Sequence, residues 1–392
     1  VIQATLMIVG LALAGSVPAL APDDLTRAGK PQAVDVANQA VFGMQWRQSV
    51  VRTGIFRTVG ESFGVPAVLP GQRRVVIATG EGEVRSYGLD TGELVWRVRF
   101  DGDFETTVSP FRGADGRWSG LVVDRTGKAR LLNLSDGTVR WTSELGADCR
   151  ERVTLEGETL YVTTVGNEML ALEYQSGRVV WRQGRPKSRE LTVLGHGAPV
   201  TAGDLVLGTF SDGYVVAYDA RTGAVRWQRQ LSVSEADFVD ANATPVYADG
   251  VVYVSSYSDG IYALDALSGD LIWERAAPSV IGLAFGQGQL FAGSADGYVW
   301  GLDRRTGEPR FRTRLQEGPV IGLHYDKGAL ILAGGTSGLV VLSAANGAPL
   351  QATSLGARAI NPPRVAGKHL VLLSAAGYLY SFELGLPHRN LH

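Results

Sequence analysis

Six of the eight tryptophans in this chain, Trp46, Trp96, Trp141, Trp181, Trp227 and Trp273, belong to one phrase in which a glycine-containing turn leads into a short apolar strand. From Trp96 onward they recur every 40 to 46 residues. Self-similarity at that period marks repeated supersecondary units. The clearest copy reads Ser258-Asp-Gly-Ile-Tyr-Ala-Leu-Asp-Ala-Leu-Ser-Gly-Asp-Leu-Ile-Trp273. It has two turns, an alternating strand between them and a second strand after them, the pattern of a β-propeller blade.

The first turn glycine is expected at Gly82, Gly127, Gly213, Gly260, Gly297, Gly338 and Gly377, with Gly166 as a degenerate member, which makes eight units. The second recurs at Gly92, Gly137, Gly177, Gly223, Gly269, Gly307 and Gly347, and the tryptophan follows four residues later in the first five units. Units six and seven carry Phe311 and Gln351 in its place, and unit eight stops after Phe382 without an outer strand. Residues 42–50 hold an orphan Trp46-Arg-Gln-Ser that matches Trp181-Arg-Gln-Gly. The expected fold is therefore all-β: an eight-bladed propeller with four antiparallel strands per blade, the last blade closed by the N-terminal strand, so that no long edge remains to template aggregation. In unit five the strands are expected at 244–247, 251–255, 261–265 and 270–276, with Asp249-Gly250 and Asp259-Gly260 as type I′ turns between the first three. The repeated tryptophan reads as packing between blades, where truncation of such a ring costs roughly 3–5 kcal/mol.

The 392 residues would allow two or three domains by length, but a propeller over 41–385 closes as one. Thirty-seven basic and 39 acidic residues nearly cancel and no Lys/Arg run occurs, so nucleic acid is not expected as a partner. The single cysteine, Cys149, excludes an intrachain disulfide and a multi-thiolate zinc site. At the N-terminus, Leu6 to Ala14 is apolar and Ala19-Leu-Ala21 has the small residues of a cleavage site, although the first positive residue is Arg27. Residues 1–21 read as a secretory segment, 22–40 as a linker and 386–392 as a tail. Mature protein would begin near Pro22.

Catalytic motifs are missing: there is no nucleophile elbow, His-Glu-x-x-His, Walker loop or Rossmann fingerprint. Gly286-Gln-Gly288 lies between strand-like runs and reads as a turn. Asp101, Asp103 and Glu105 alternate like calcium ligands but lack the glycine and distal glutamate of a binding loop, so a solvated connection between blades is expected. His388 and His392 fall in the tail, and His196, His324 and His369 are scattered among units. No catalytic residue, metal site or cofactor is expected.

The phrase Asp219-Ala-Arg-Thr222-Gly223-Ala-Val-Arg-Trp227 resembles the repeats of pyrroloquinoline-quinone-type propellers. Within them, residues 41–385 are similar to the BamB family of outer-membrane β-barrel assembly proteins. The unit count with its closing strand carries the resemblance, together with Leu191-Thr-Val193-Leu194-Gly195-His-Gly-Ala198-Pro199, similar to the family's Leu-x-Leu-Arg-Gly-x-x-Ala-Pro, and Asp240-Ala-Asn242-Ala-Thr244-Pro245, similar to Asp-x-Asp-x-Thr-Pro. The resemblance implies a noncatalytic scaffold in the periplasm at the outer membrane. It would dock on the periplasmic domains of the central barrel-assembly protein through Leu191, Val193, Leu194, Asp240 and Asn242, and act on unfolded outer-membrane proteins. Leu194 stands where the family has arginine and Asn242 where it has a second aspartate, which reduces the charged part of the contact. No cysteine precedes Cys149 to carry a lipid; either the chain starts further upstream, or it reaches the membrane through a partner. Two other readings stand beside this one. One is an envelope propeller binding a small ligand in its channel or another complex. The other is a quinone-dependent dehydrogenase, against which the single cysteine counts, because such enzymes commonly carry an adjacent-cysteine disulfide.

Overall fold

The computed structural model describes residues 41–50, 64–113, 115–186, 197–231, 243–315, 318–334, 338–359 and 361–385. The expectations for the N-terminal segment, the linker and the tail lie outside them. Described strands form eight sheets of four, each antiparallel. Blades 1 to 7 occupy residues 67–99, 109–144, 154–184, 200–230, 246–276, 280–314 and 320–353, and each is a simple up-and-down meander. Blade 8 combines Arg364–Ala366, His369–Leu373 and Tyr378–Leu384 with the N-terminal strand Phe42–Ser49, which pairs antiparallel with Tyr378–Leu384. Closure by the first segment is thus as the orphan Trp46 implies.

The first strand has three or four residues except in blades 6 and 7, where it has seven, and first strands of neighbouring blades approach one another around the axis. The second and third strands are buried almost throughout, as in Leu205–Thr209 and Tyr214–Asp219. Fourth strands form the rim and alternate: in Val225–Gln230, Val225 is 52% exposed while Trp227 turns inward. The hydrophobic core lies in the seams between blades. Tyr161, Met169, Ala171 and Trp181 of blade 3 pack on Val206, Phe210, Val216 and Tyr218 of blade 4.

At every seam that has a tryptophan, its ring lies on the second turn glycine of the next blade. Trp46 covers Gly92, Trp96 covers Gly137, Trp141 covers Gly177, Trp181 covers Gly223, Trp227 covers Gly269 and Trp273 covers Gly307; Phe311 does the same to Gly347. A Cβ on Gly269 would stand 2.6 Å from the Trp227 ring, and its φ of 76° is one that side chains avoid. The indole also donates to the carbonyl that opens the covered turn, as in Trp227 Nε1 to Ala266 O at 3.0 Å and Trp273 Nε1 to Arg304 O at 2.9 Å. Trp96 keeps the stacking, but its buried Nε1 has no partner among the described residues.

Gln351 departs from the pattern for a geometric reason. The outer strand of blade 8 comes from the other end of the chain, so no turn and no glycine face Gln351. Its Oε1 instead accepts from Val41 N (2.5 Å) and Phe42 N (2.9 Å), and its Nε2 donates to Phe42 O at 3.0 Å. A polar side chain thereby holds the first residues of the closing strand.

Several turn expectations need correction. In blade 3 the left-handed residue is Asn167 (φ 59°), with Gly166 one place before it. Asn167 accepts both Ser211 N and Ser211 Oγ, bonds that glycine has no side chain to make. Gly260 and Gly338 open their third strands and do not precede them as Gly213 does. Asp249-Gly250 has positive φ at both residues, 51° and 82°, as type I′ requires, whereas in Asp259-Gly260 only Gly260 does, at 156°. Gln287 and Gly288 form a left-handed two-residue turn between Val280–Gly286 and Gln289–Ser294, as expected of a hairpin.

Trp227→Ala is expected to cost about 3 kcal/mol in denaturant titrations, and Gly269→Ala about 1–2 kcal/mol from backbone strain alone. The two should couple by about 1 kcal/mol or more, because removing the indole frees the space the new methyl needs; strict additivity would show that the ring does not rest on that glycine. Deleting residues 41–50 should lower the melting temperature or cause aggregation by exposing the last sheet, and Gln351→Ala should give a smaller loss in the same melt. An unchanged melt for the deletion would remove the closing strand from the account.

Candidate functional site

Leu191, Val193, Leu194, Asp240 and Asn242 all lie outside the described residues. What the structure does define is where their two segments begin and end. In a four-stranded meander the connection from the last strand of one blade to the first of the next emerges on the face that carries the turns between second and third strands. The described residues that flank both segments lie on that face, at the boundaries of blades 3 and 4 and of blades 4 and 5.

The C-terminal ends of the two segments meet. Ala198 N donates to Thr244 Oγ1 at 3.1 Å. Thr163 Oγ1 donates to Gly197 O (3.0 Å), and Thr209 Oγ1, in the corresponding place one blade on, donates to Ala243 O (3.3 Å). Gly197 has no room for a side chain: a Cβ there would stand 2.5 Å from Thr209 Oγ1, 2.8 Å from Ala243 O and 2.9 Å from Thr244 Cα. The Gly-Ala-Pro and Ala-Thr-Pro that close the two motifs are therefore one packed unit.

The N-terminal end of the first segment is held by Arg185. Its Nε donates to Asp212 Oδ2 at 2.9 Å and its Nη1 to Gln228 Oε1 at 3.0 Å, and the guanidinium lies 4.5 Å from the Tyr214 ring centroid. The Arg185 and Asp212 side chains are only 12% and 14% exposed, so losing either would leave a largely buried charge unpaired. Asn167 Nδ2 donates to Pro186 O at 3.1 Å. Arg185 and Asn167 were not singled out from sequence; the only trace is the arginine two residues beyond the blade-3 copy Trp181-Arg-Gln, and nothing in it tells which carboxylate it meets.

Other side chains considered as sites have structural partners. Glu105 lies 3.3 Å from Arg125 and 3.0 Å from Arg150 as ion pairs, so its carboxylate joins blades 2 and 3. Cys149 is buried, and burial together with the neighbouring Asp148 and Glu151 pushes its thiol well above the ordinary range. Among the described residues no three His, Cys, Asp or Glu side chains are grouped as a metal site, and no helix is long and apolar enough to cross a membrane.

Eight four-stranded blades, with the full Asp-x-x-Thr/Ser-Gly-x-x-x-Trp phrase in blades 4 and 5 and its variants in blades 1–3, 6 and 7, define a propeller of the pyrroloquinoline-quinone repeat class. The family model for outer membrane protein assembly factor BamB matches residues 34–118 and 112–313, and the chain belongs to that family. BamB of Alkalilimnicola ehrlichii is 29% identical over 153 residues, 36% of this chain, and the match spans 37% of that relative's length. The crystal structure of BamB from Moraxella catarrhalis superposes with a TM-score of 0.74 at 20% identity, covering 88% of this chain and all of that one. A quinohemoprotein alcohol dehydrogenase from Comamonas testosteroni gives 0.67 at 12% identity, covering 94% of this chain and 80% of that one. At these identities the two solved structures share the fold alone.

Gly197→Ala is expected to displace the ends of both segments together, lowering the melting temperature by several degrees while far-ultraviolet circular dichroism keeps its β signature. A melt equal to wild type would show that the two ends are not packed as described.

Proposed function

We propose that this propeller is a noncatalytic docking subunit of the outer-membrane β-barrel assembly machinery, working on the periplasmic side of that membrane. Its partner is the central barrel-assembly protein, whose periplasmic domains it engages through the segments 187–196 and 232–242. The observation that carries this reading is the junction of the two segments at Ala198 and Thr244 in a chain of the BamB family. Two motifs 40 or more residues apart in sequence end side by side, which is what a shared contact surface requires. Leu191, Val193 and Leu194 supply apolar anchors and Asp240 and Asn242 polar ones, with most of the binding energy in a few of them. Docking would hold the propeller where unfolded barrel proteins arrive, so its contribution is local concentration and orientation rather than bond chemistry.

Leucine at 194 and asparagine at 242 make the contact mainly apolar, so its affinity should depend weakly on salt. The purified protein is expected to bind the periplasmic domains of its own organism's barrel-assembly protein with a Kd of about micromolar or tighter. Between low and physiological salt the Kd should change less than about threefold. Leu191→Asp/Leu194→Asp should weaken binding at least about tenfold with an unchanged melt. No binding by the wild-type protein in calorimetry would overturn the proposal.

A further inference from the structure

Seven of the eight seams are filled near the rim by an indole or a phenyl ring, and the seam between blades 7 and 8 is not. Gln351 stands in the ring's place there and is committed to the backbone of Val41 and Phe42. Two residues further along, the rim strands of blades 4, 5 and 6 reach into their seams as well. Arg229 Nη1 donates to Gly269 O at 3.2 Å, Arg275 Nε to Gly307 O at 3.0 Å and Thr313 Oγ1 to Gly347 O at 2.7 Å. Thr353 holds that position in blade 7, but blade 8 has no such turn for it to meet. A cavity of about 360 Å³ opens at this seam. Its inner wall is the buried Phe42, Tyr380 and Phe382: Phe42 meets Phe382 edge-on with centroids 5.5 Å apart, and Tyr380 stacks on Phe382 at 6.2 Å. Tyr380 donates its hydroxyl to Leu355 O at 2.7 Å, so that polar group is already satisfied. Met44, 61% exposed, and the exposed Arg47 stand at the mouth. Arg47 is the one charged residue of the lining, and it is positioned there by the Tyr378 ring, whose centroid is 4.7 Å from its guanidinium carbon.

We propose that this cavity binds an aromatic carboxylate: a ring of the kind that the other seams supply from their own chain, with an anionic group a few atoms away. The ring packs against the aromatic wall of Phe42, Tyr380 and Phe382, with the Met44 thioether at the opening. The carboxylate takes the planar fork of N–H donors that Arg47 offers, and no acidic side chain of the lining competes for it. The volume suits one ring on a short chain, at the small end of ligand cavities. Such a group comes either from a free aromatic acid or from adjoining aromatic and acidic side chains of a polypeptide. The seam is four blades from the one between blades 3 and 4, so the site does not rest on the docking role.

NMR of the purified full chain with labelled methionine methyls tests the proposal, because of Met7, Met44 and Met169 only Met44 lines the cavity. On titration with N-acetyltryptophan the Met44 methyl should shift upfield with a Kd of about 0.1–1 mM, while the Met169 methyl stays in place. Arg47→Gln should weaken N-acetyltryptophan by about tenfold or more and leave the weaker binding of the neutral N-acetyltryptophanamide unchanged. Thr353→Phe, which fills the cavity from within, should abolish the shift with a melting temperature at or above that of the wild type. A tighter Kd for a capped dipeptide of tryptophan and aspartate than for N-acetyltryptophan would assign the ligand to a polypeptide, and the reverse would assign it to a free aromatic acid. No shift of the Met44 methyl at about 10 mM N-acetyltryptophan, or equal affinity in Arg47→Gln, would overturn the site.

Discussion

The contact on which the rest of this molecule depends is the indole ring of one blade lying flat on a glycine of the next. It couples neighbours in two ways at once. The ring fills a space that any Cβ would invade, and its N–H meets the carbonyl that opens the same turn, so both the position and the orientation of the next blade are set. Because blades 1 to 6 each place a ring and receive their neighbour's, the interaction passes through seven of the eight seams. Phe311 shows which half is indispensable: it keeps the stacking on Gly347 without a donor. Trp96, whose buried Nε1 has no partner among the described residues, points the same way.

A ring of blades built from a linear chain has one boundary unlike the others. Here the outer strand of blade 8 arrives from the N-terminal side, and the turn that would receive a tryptophan does not exist. Gln351 answers that local geometry with three hydrogen bonds to the backbone of residues 41 and 42. An indole in its place has one donor and no acceptor and would leave the two N–H groups unmatched. What reads in the repeat as decay is thus a change of function at the seam that needs one.

The same distinction separates the legible from the illegible parts of the candidate site. Gly-Ala-Pro and Ala-Thr-Pro are visible as motifs, and their resemblance to the family points to a common role. That Ala198 bonds Thr244, and that Thr163 and Thr209 tie successive segments from equivalent places, depends on the rotation between blades and has no sequence period of its own. Arg185 is still less readable, since its carboxylate, amide and aromatic partners come from three positions of the following blade.

Period, turn chemistry and alternation by themselves determined the number of blades, the four strands in each, the inward face of the rim strands and the source of the closing strand. These are set by interactions local to one repeat or between adjacent repeats, where steric demands on a turn and burial of every second residue act over a few residues. Tertiary structure decided which residue takes the left-handed place in blade 3, why glutamine stands where tryptophan is expected, and how the two motif-bearing segments are joined. Each of these turns on distances between residues far apart in the chain, and such distances exist only once the blades are assembled in a circle.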